Sequence, residues 1–364
     1  MSTGGSKVMK SNLFAVIMAG GQGTRFWPRS RHKRPKQLLD IVGSESMIRQ
    51  TVSRIIPLIP KDQIFIVSNE THVTELRYHI PDIPESNVVV EPAGKNTAPA
   101  IGLTALYIRR INPEAILVVL PSDHLVEKED ILRKTIEKAG LTAEKGEFLI
   151  TLGMKVVSPE TGYGYIQMGD SIESCFYRVK AFIEKPGKEK AEKFMRNGGY
   201  LWNSGIFIWK VGLFLKMIEE YIPDLHRGLM AIDKVIGTKK ERKTVRSIYA
   251  GLKSVSVDFG ILEKAKNVAV IPSDFGWNDV GSWTALDSIF KKGPHGNIEQ
   301  AKHVSIDTTN TTVYSPRKLI ATIGIKDLII VETEDALLVC HKERAQDVKK
   351  LVDKLKSDGL EEYL

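Results

Sequence analysis

Cysteine is scarce in this sequence: Cys175 and Cys340 are the only two in 364 residues. Two thiols so far apart exclude a disulfide framework and a CxxC metal site. A reducing, cytoplasmic location is the one expected. Long apolar runs are missing as well. No run approaches the ~18 apolar residues of a membrane helix, so no membrane partner is expected. The opening residues, MSTGGSKVMKSN, lack the apolar core of a signal peptide and read as a disordered lead-in over 1–12. Acidic residues are in deficit, 44 Asp and Glu against 52 Lys and Arg, which leaves a net charge of +8. That charge suits nucleic acid, a membrane surface or acidic small substrates. Aromatics make up only 7% and do not interleave with the basic runs, which argues against a stacking surface for nucleic acid. The run Lys239, Lys240, Arg242, Lys243, Arg246 reads as a solvated face. What remains is a soluble globular composition, long enough for one large α/β domain and a smaller one.

The most informative stretch is Phe14 to Gln37, FAVIMAGGQGTRFWPRSRHKRPKQ. It opens with an apolar run that reads as a buried parallel strand. Gly20, Gly21 and Gly23 follow, and glycines let backbone amides approach an anion closely. Arg25 comes next, then Arg29, Arg31, Lys33, Arg34 and Lys36. A glycine turn with fixed cations suits a triphosphate, so the cluster is assigned to substrate phosphates. Two other phosphate loops are excluded. The spacing is not that of a Walker A loop. Phe26 occupies the position that a dinucleotide fingerprint reserves for a small residue.

From Phe14 to about Met154, strands and helices alternate, which predicts a parallel sheet with helices on both faces. Ligands then sit at the carboxyl ends of the strands. Helices are expected over Ser46–Leu58, Thr71–Ile80, Asn96–Arg110 and Asp130–Glu144. The helix near Asn96 and Thr97 offers its positive end to an anion. After Lys155 come strands at Tyr163–Met168, Arg178–Glu184 and Tyr200–Lys210, expected to fold over the sheet edge and supply a sugar pocket. From Gly296 onward there are short β-type runs, among them Thr312–Tyr314 and Leu319–Ile323. A terminal amphipathic helix is predicted over Arg344–Ser357. The expected division is a catalytic domain over 13–295 and a β-domain with its helix over 296–364.

The stretch GGxGTR…PK, in the fuller form AGGQGTRFWPRSRHKRPKQLL, resembles the signature of mannose-1-phosphate guanylyltransferases, the GDP-mannose pyrophosphorylases. The order of LPSDH, FIEKPG, LWNSGIF and WNDVGSW extends the resemblance from Phe14 to about Lys356. It implies a Rossmann-like, mixed and mainly parallel α/β sheet, followed by a small β-domain of left-handed β-helix type. The β-solenoid rests on this resemblance, since no strict hexapeptide repeat is visible. Some relatives continue into a phosphomannose isomerase domain; this chain ends at Leu364, so isomerase activity is not implied.

The resemblance also implies roles for particular residues. Asp123 and Asp279, each read as following a strand of the same sheet, become the pair that binds Mg²⁺ with substrate phosphates. For a lone aspartate, a turn or a helix cap is the commoner role. Lys185 contacts the phosphate of the sugar phosphate, and Glu184, Asn203 and Gly164 form the sugar side. Asn203 offers both a donor and an acceptor to hydroxyls. Gly20, Gly21, Gly23 and Thr24 hold the nucleotide. Glu91 with GKNTAPA, including Asn96 and Thr97, reads the base, since a carboxylate accepts from guanine N1–H and N2–H. Arg25, Lys36 and Lys185 are the catalytic cations. His124 has no zinc-ligand spacing around it and is expected to have a structural or hydrogen-bonding role. Asp258, in SVDFGILEK, is adequately explained as a helix cap.

The expected reaction transfers GMP from GTP to α-D-mannose 1-phosphate, giving GDP-mannose and pyrophosphate, in a homodimer. Alternatives are another nucleotide or sugar phosphate, or a non-catalytic nucleotide-sugar sensor on the same fold. A sensor should lack a metal aspartate or a signature cation, and neither is missing here.

Overall fold

The computed structural model describes residues 12–173 and 175–364, so the lead-in expected over 1–12 lies outside the described residues except for Asn12. The strands are β1 Leu13–Met18, β2 Ile64–Asn69, β3 Val88–Glu91, β4 Ile116–Pro121, β5 Leu125–Val126, β6 Leu149–Lys155, β7 Tyr165–Glu173, β8 Phe176–Ile183, β9 Tyr200–Lys210, β10 Val268–Ser273 and β11 Trp277–Asn278. In the tail they are β12 Ile298–Ile306, β13 Thr312–Ile323, β14 Leu328–Glu332 and β15 Leu337–His341. The helices are α1 Met47–Ile55, α2 Val73–His79, α3 Thr97–Ile111, α4 Glu129–Ala143, α5 Lys188–Asn197, α6 Val211–Tyr221, α7 Pro223–Asp233, α8 Glu241–Gly251, α9 Leu286–Ile289 and α10 Val348–Ser357. No helix among the described residues is long and apolar enough to cross a membrane.

Among the described residues the main sheet has nine strands, in the order β3-β2-β1-β4-β9-β6-β10-β8-β7. β1, β2, β3 and β4 are parallel. The alternation inside β1 explains why it is central. Phe14 and Val16 point into one apolar layer, with α3, α6, α7 and α8. Leu13, Ala15 and Ile17 point into the other, with α1 and α4. A strand apolar on both faces has to be covered on both.

One placement differs from expectation. β9 is not at the sheet edge but in the middle, antiparallel between β4 and β6. Its run LWNSGIFIWK is apolar on both faces, with Trp209 and Ile208 fully buried, as an interior strand requires. β7 and β8 do fold over. β7 pairs with β8 and also with β9, so Tyr165 faces both Ile183 and Trp202.

The tail forms a second sheet, β12-β13-β14-β15, with the first three strands parallel. Thr312–Tyr314 and Leu319–Ile323 are one strand, β13, carried across Pro316 opposite a bulge at Gln300–Lys302. The terminal helix starts later than expected, because Lys342–Asp347 is a 3₁₀ segment ahead of α10. This β-helix-like unit buries Ile329, Val331, Val348 and Val352 against Phe26, Trp27 and Trp283.

Candidate active site

The glycine turn leaves β1 and is pinned from behind. Gln37 donates from its amide to the carbonyls of Ala19 (2.9 Å) and Gly21 (3.0 Å). Ser30 donates to the Gly23 carbonyl at 2.8 Å. Of the three glycines only Gly23 has a positive φ, 63°, and a Cβ there would lie 2.2 Å from the Cβ of Lys36. Side chains are therefore excluded both by backbone conformation and by space. Thr24 opens a 3₁₀ turn through Phe26.

Lys36 is 4% exposed. Its ammonium lies 2.9 Å from Asp123 Oδ2 and donates to the backbone carbonyl of Asp279 at 2.7 Å. It also lies over the Phe26 ring, 5.7 Å from the centroid. Asp123 follows β4. Asp279 follows β11, which belongs to a separate two-stranded sheet with β5 rather than to the main sheet as expected. That small sheet explains how the two meet. Asn278 pairs with Leu125 and Trp277 with Val126, so the next residue past β11 is carried back toward the segment that leaves β4.

The Asp123 carboxyl is held below the usual carboxylate range. Burial pushes it up, but the charges of Lys36 and His124 outweigh that. Asp279 Oδ1 accepts from the Tyr163 hydroxyl at 2.8 Å. The Tyr163 phenol is driven up, first by burial and then by the Asp279 charge. His124 hydrogen-bonds within the protein: its Nδ1 accepts from Trp277 Nε1 at 3.1 Å, and burial pushes the imidazole down toward the neutral form.

A carboxylate on each of the two segments is donor chemistry that a divalent cation takes. A Cβ on Gly281 would lie 2.7 Å from Asp279 Oδ2, so the glycine leaves room around that carboxylate. Among the described residues no group of three or more His, Cys, Asp or Glu gathers at one point. Mg²⁺ typically takes one or two carboxylates and fills its shell with phosphate oxygens and water.

The sugar-side residues are grouped by strand pairing. Gly164, Glu184 and Asn203 adjoin Tyr165, Ile183 and Trp202, the three residues paired across β7, β8 and β9. The Gly164 carbonyl accepts from the Asn203 amide at 2.8 Å. A Cβ on Gly164 would lie 2.5 Å from Glu184 Oε2, an oxygen that is buried without a hydrogen-bond partner. Asn203 departs from expectation. Its carbonyl already accepts from the Gly205 amide (3.0 Å), and its NH₂ donates to Asp258 Oδ1 (3.0 Å). One N–H remains for a ligand.

Asp258 is not a helix cap. It lies within a π-turn, Asp258–Leu262, and its carboxyl faces the sugar side. Burial and then the Glu184 charge raise it to about 7. Lys185 has φ 45°, pairs with Glu184 Oε1 at 2.9 Å, and is more than half exposed. Lys185, Arg25, Tyr163 and Asp279 line one cleft of about 940 Å³. Among the described residues Arg25 makes no ion pair. The far wall holds Lys342 and Gln346 of the tail, which sequence reasoning left out of the site.

On the base side, Glu91 ends β3 and is 4% exposed, with Oε1 unpartnered. Its Oε2 would be 3.9 Å from a Cβ on Gly20. Burial raises this carboxyl to about 7, and Tyr249 partly opposes the rise. Asn96 caps α3, accepting from the Thr97 amide at 2.9 Å. The anion site expected at this helix end is not there. The Thr97 amide is taken by Asn96, the Ala98 amide by the Val255 carbonyl at 3.1 Å, and Pro99 has no N–H.

The assignment of the whole basic cluster to phosphates also needs correction. Arg29 pairs with Asp40 at 2.5 Å and lies over the Tyr314 ring. Arg31 bonds Asp335 at 2.7 Å and the carbonyls of Pro28 and Tyr363. Both fasten the glycine-turn segment to the tail. Among the missed residues, Gln37 and Tyr163 carry no sequence signal beyond being polar beside a motif.

The sequence model described as Nucleotidyl transferase matches residues 14–294, and that of the MannoseP isomerase/GMP-like beta-helix domain matches 301–355. Mannose-1-phosphate guanylyltransferase ManC of Salmonella typhimurium is 36% identical over 97% of this chain and 75% of its own length. Xanthan biosynthesis protein XanB of Xanthomonas campestris shows the same identity and the same coverage of both chains. A crystal structure from Thermus thermophilus, described as mannose-1-phosphate geranyltransferase, superposes with a TM-score of 0.86 at 33% identity, over 96% of this chain and 100% of that one. Likeness over nearly the whole length places it: the chain belongs to the mannose-1-phosphate guanylyltransferase family of nucleotidyl transferases.

Proposed function

We propose that the cleft transfers the guanylyl group of GTP to α-D-mannose 1-phosphate, giving GDP-mannose and pyrophosphate. Membership of the family supports the reaction. The observation that carries the assignment of the chemistry to this cleft is Lys36, whose one ammonium touches the Asp123 carboxylate and the Asp279 backbone.

A phosphate oxygen of the sugar phosphate attacks the α-phosphorus of GTP. The bond from that phosphorus to the bridging oxygen breaks, and pyrophosphate leaves with the electron pair. The nucleophile is already an anion, so no general base is needed; the difficulty is to bring two anions together. Nucleotidyl transferases work with a divalent metal. Mg²⁺ is proposed here, held by Asp123 and Asp279, where it would supply positive charge to the triphosphate.

The protein's own groups do the rest. Arg25 lines the cleft with no ion-pair partner among the described residues and is assigned to the triphosphate. Lys36 orders the two aspartate segments and keeps one N–H for a phosphate oxygen. Lys185 holds the incoming phosphate. The amides of Gly20, Gly21 and Gly23, with Thr24, line the nucleotide side. Glu184, the free N–H of Asn203 and the open backbone at Gly164 take the sugar hydroxyls. Glu91, with the Asn96–Thr97 turn, accepts from the guanine edge.

The same proposal takes 13–295 as the catalytic domain and 296–364 as a supporting domain, in a cytoplasmic homodimer. Pyrophosphate release over a matrix of nucleoside triphosphates and sugar 1-phosphates tests it. The expected result is a maximum at GTP with mannose 1-phosphate. Equal turnover with ATP would overturn the role given to Glu91.

A further inference from the structure

Val280 follows Asp279 directly, and its backbone lies in the left-handed region, with φ 47°. Among the described residues seven besides glycine have a positive φ, and Val280 is the one whose side chain is β-branched. A branched Cβ crowds its own backbone there, so such a conformation persists only where the surroundings impose it. Those surroundings are visible. Val280 is fully buried, in one cluster with Phe26 and Trp27 after the glycine turn, Trp283, and Ile329 and Val331 of the tail. Its amide donates to Asn278 Oδ1 at 2.7 Å. Asp279 is held on its own account too. Its carbonyl accepts from Lys36 at 2.7 Å, and its Oδ1 accepts from the Tyr163 hydroxyl at 2.8 Å.

We infer that Val280 is a positioning residue for the transfer step: its side chain, buried in the cluster shared with the tail, holds the left-handed turn that directs the Asp279 carboxylate into the cleft. The inference rests on the reading of Asp279 as a carboxylate of the reaction centre. The angle φ at 280 sets the direction in which the 279–280 peptide leaves the anchored Cβ. With the side chain fixed in the core and φ fixed by packing, Asp279 has one direction to take. Glycine would reach this φ at ease, but it has nothing to anchor and would also visit other angles. Alanine would keep the crowded Cβ and lose most of the anchor. The valine therefore combines strain with grip, and the tail bears on the reaction through the packing at Val280.

The test compares Val280→Gly, Val280→Ala, Val280→Thr and Asp279→Asn with wild type. Val331→Ala, in the same cluster but on β14, is the packing control. Threonine keeps the branched shape and buries a hydroxyl, so Val280→Thr should melt lower yet keep kcat within about threefold. Val280→Gly should lower kcat about tenfold to a hundredfold, while KM for GTP and for mannose 1-phosphate moves far less. It should melt no lower than Val280→Ala, the reverse of the usual order, because glycine alone is at ease at this φ. Val331→Ala should melt lower with kcat nearly unchanged. Fluorotyrosine at 163 in the full chain reads the place of Asp279 without metal or nucleotide, through the hydroxyl that bonds it. Its ¹⁹F signal should move in Val280→Gly and stay in Val280→Thr and Val331→Ala. A residue that only packs would make kcat follow melting temperature across the whole set, with one ¹⁹F signal throughout, and that result overturns the inference. Full kcat in Val280→Gly overturns it as well. If Asp279→Asn keeps its kcat, the reading of Asp279 falls first, and the ¹⁹F signal alone then decides whether Val280 places that carboxylate. Should Val280→Gly not fold, Val280→Ala carries the same comparison against Val280→Thr.

Discussion

Lys36 and Asp123 form an ion pair, Nζ to Oδ2 2.9 Å, in which the lysine side chain is 5% exposed and the aspartate 31%. The lysine is the better buried partner, so its loss leaves a carboxylate that still reaches solvent but has no fixed counter-charge. The same ammonium bonds the Asp279 backbone, which makes Lys36 the point at which two distant chain segments are joined.

Lys36→Ala should therefore lower both activity and stability. The expected fall in kcat/KM is at least tenfold to a hundredfold, as for loss of one charge-assisted contact. Lys239→Ala is the control. Lys239 lines a different cavity, beside Arg242 and Arg246, which pair with Glu70. It should leave kcat/KM within about twofold, as surface substitutions usually do. Steady-state kinetics on both variants checks this, and equal losses would contradict it.

Arg31→Ala separates phosphate binding from tethering. Its guanidinium joins Asp335 and the Tyr363 carbonyl to the segment after the glycine turn. The variant should unfold at lower temperature, with a loss of about 1–2 kcal/mol, because several bonds to one guanidinium go together. KM for GTP should stay near wild type. Thermal unfolding and GTP titration measure the two; a large rise in KM with unchanged stability would return Arg31 to the phosphates.

How much of this was readable in the sequence depends on whether the signal was local. β1 was legible because an apolar run ending in glycines has one ready explanation, and α3 because Asn96 is a cap. The grouping of Gly164, Glu184 and Asn203 was reachable only through family likeness. It depends on Tyr165 pairing with both Ile183 and Trp202, and no local pattern encodes a strand that serves two partners. Asp258 failed for the same reason. An aspartate before a helical run looks like a cap until Asn203, 55 residues earlier, is found to be its donor. Arg29 and Arg31 looked like phosphate ligands because their partners, Asp40, Tyr314 and Asp335, are set by tertiary packing.

Asp123 and Asp279 should behave as one unit. Asp123→Asn and Asp279→Asn each keep the side-chain shape and remove a charge. Each should cut kcat strongly, and the double variant should be little worse than either, since groups that act together are non-additive. Tyr163→Phe removes the hydroxyl that orients Asp279, so it should show a weaker loss in the same direction. A double-mutant cycle on turnover at saturating Mg²⁺, with thermal unfolding as control, decides it. Losses that simply add would mean two independent roles.

Asp258 gives a prediction for pH. In the unfolded chain its carboxyl ionises near the ordinary 3.8; in the folded protein burial and Glu184 hold it protonated until about 7. Between those values the native state keeps a proton that the unfolded chain has released. Stability therefore falls as pH rises through this window, and the penalty is fully present above about 7. Asp258→Asn has no proton to lose and keeps an acceptor for the Asn203 amide. Relative to wild type, the variant should gain stability steadily from pH 4 to 7 and then level off. Glu91 is raised for its own reasons, by burial at the end of β3, and contributes equally to both proteins, so it cancels in the difference. Melting temperatures at pH 5, 6, 7 and 8 supply the test. Parallel curves for wild type and variant would mean that Asp258 ionises at its ordinary value, and that its carboxyl does not feel the charge of Glu184.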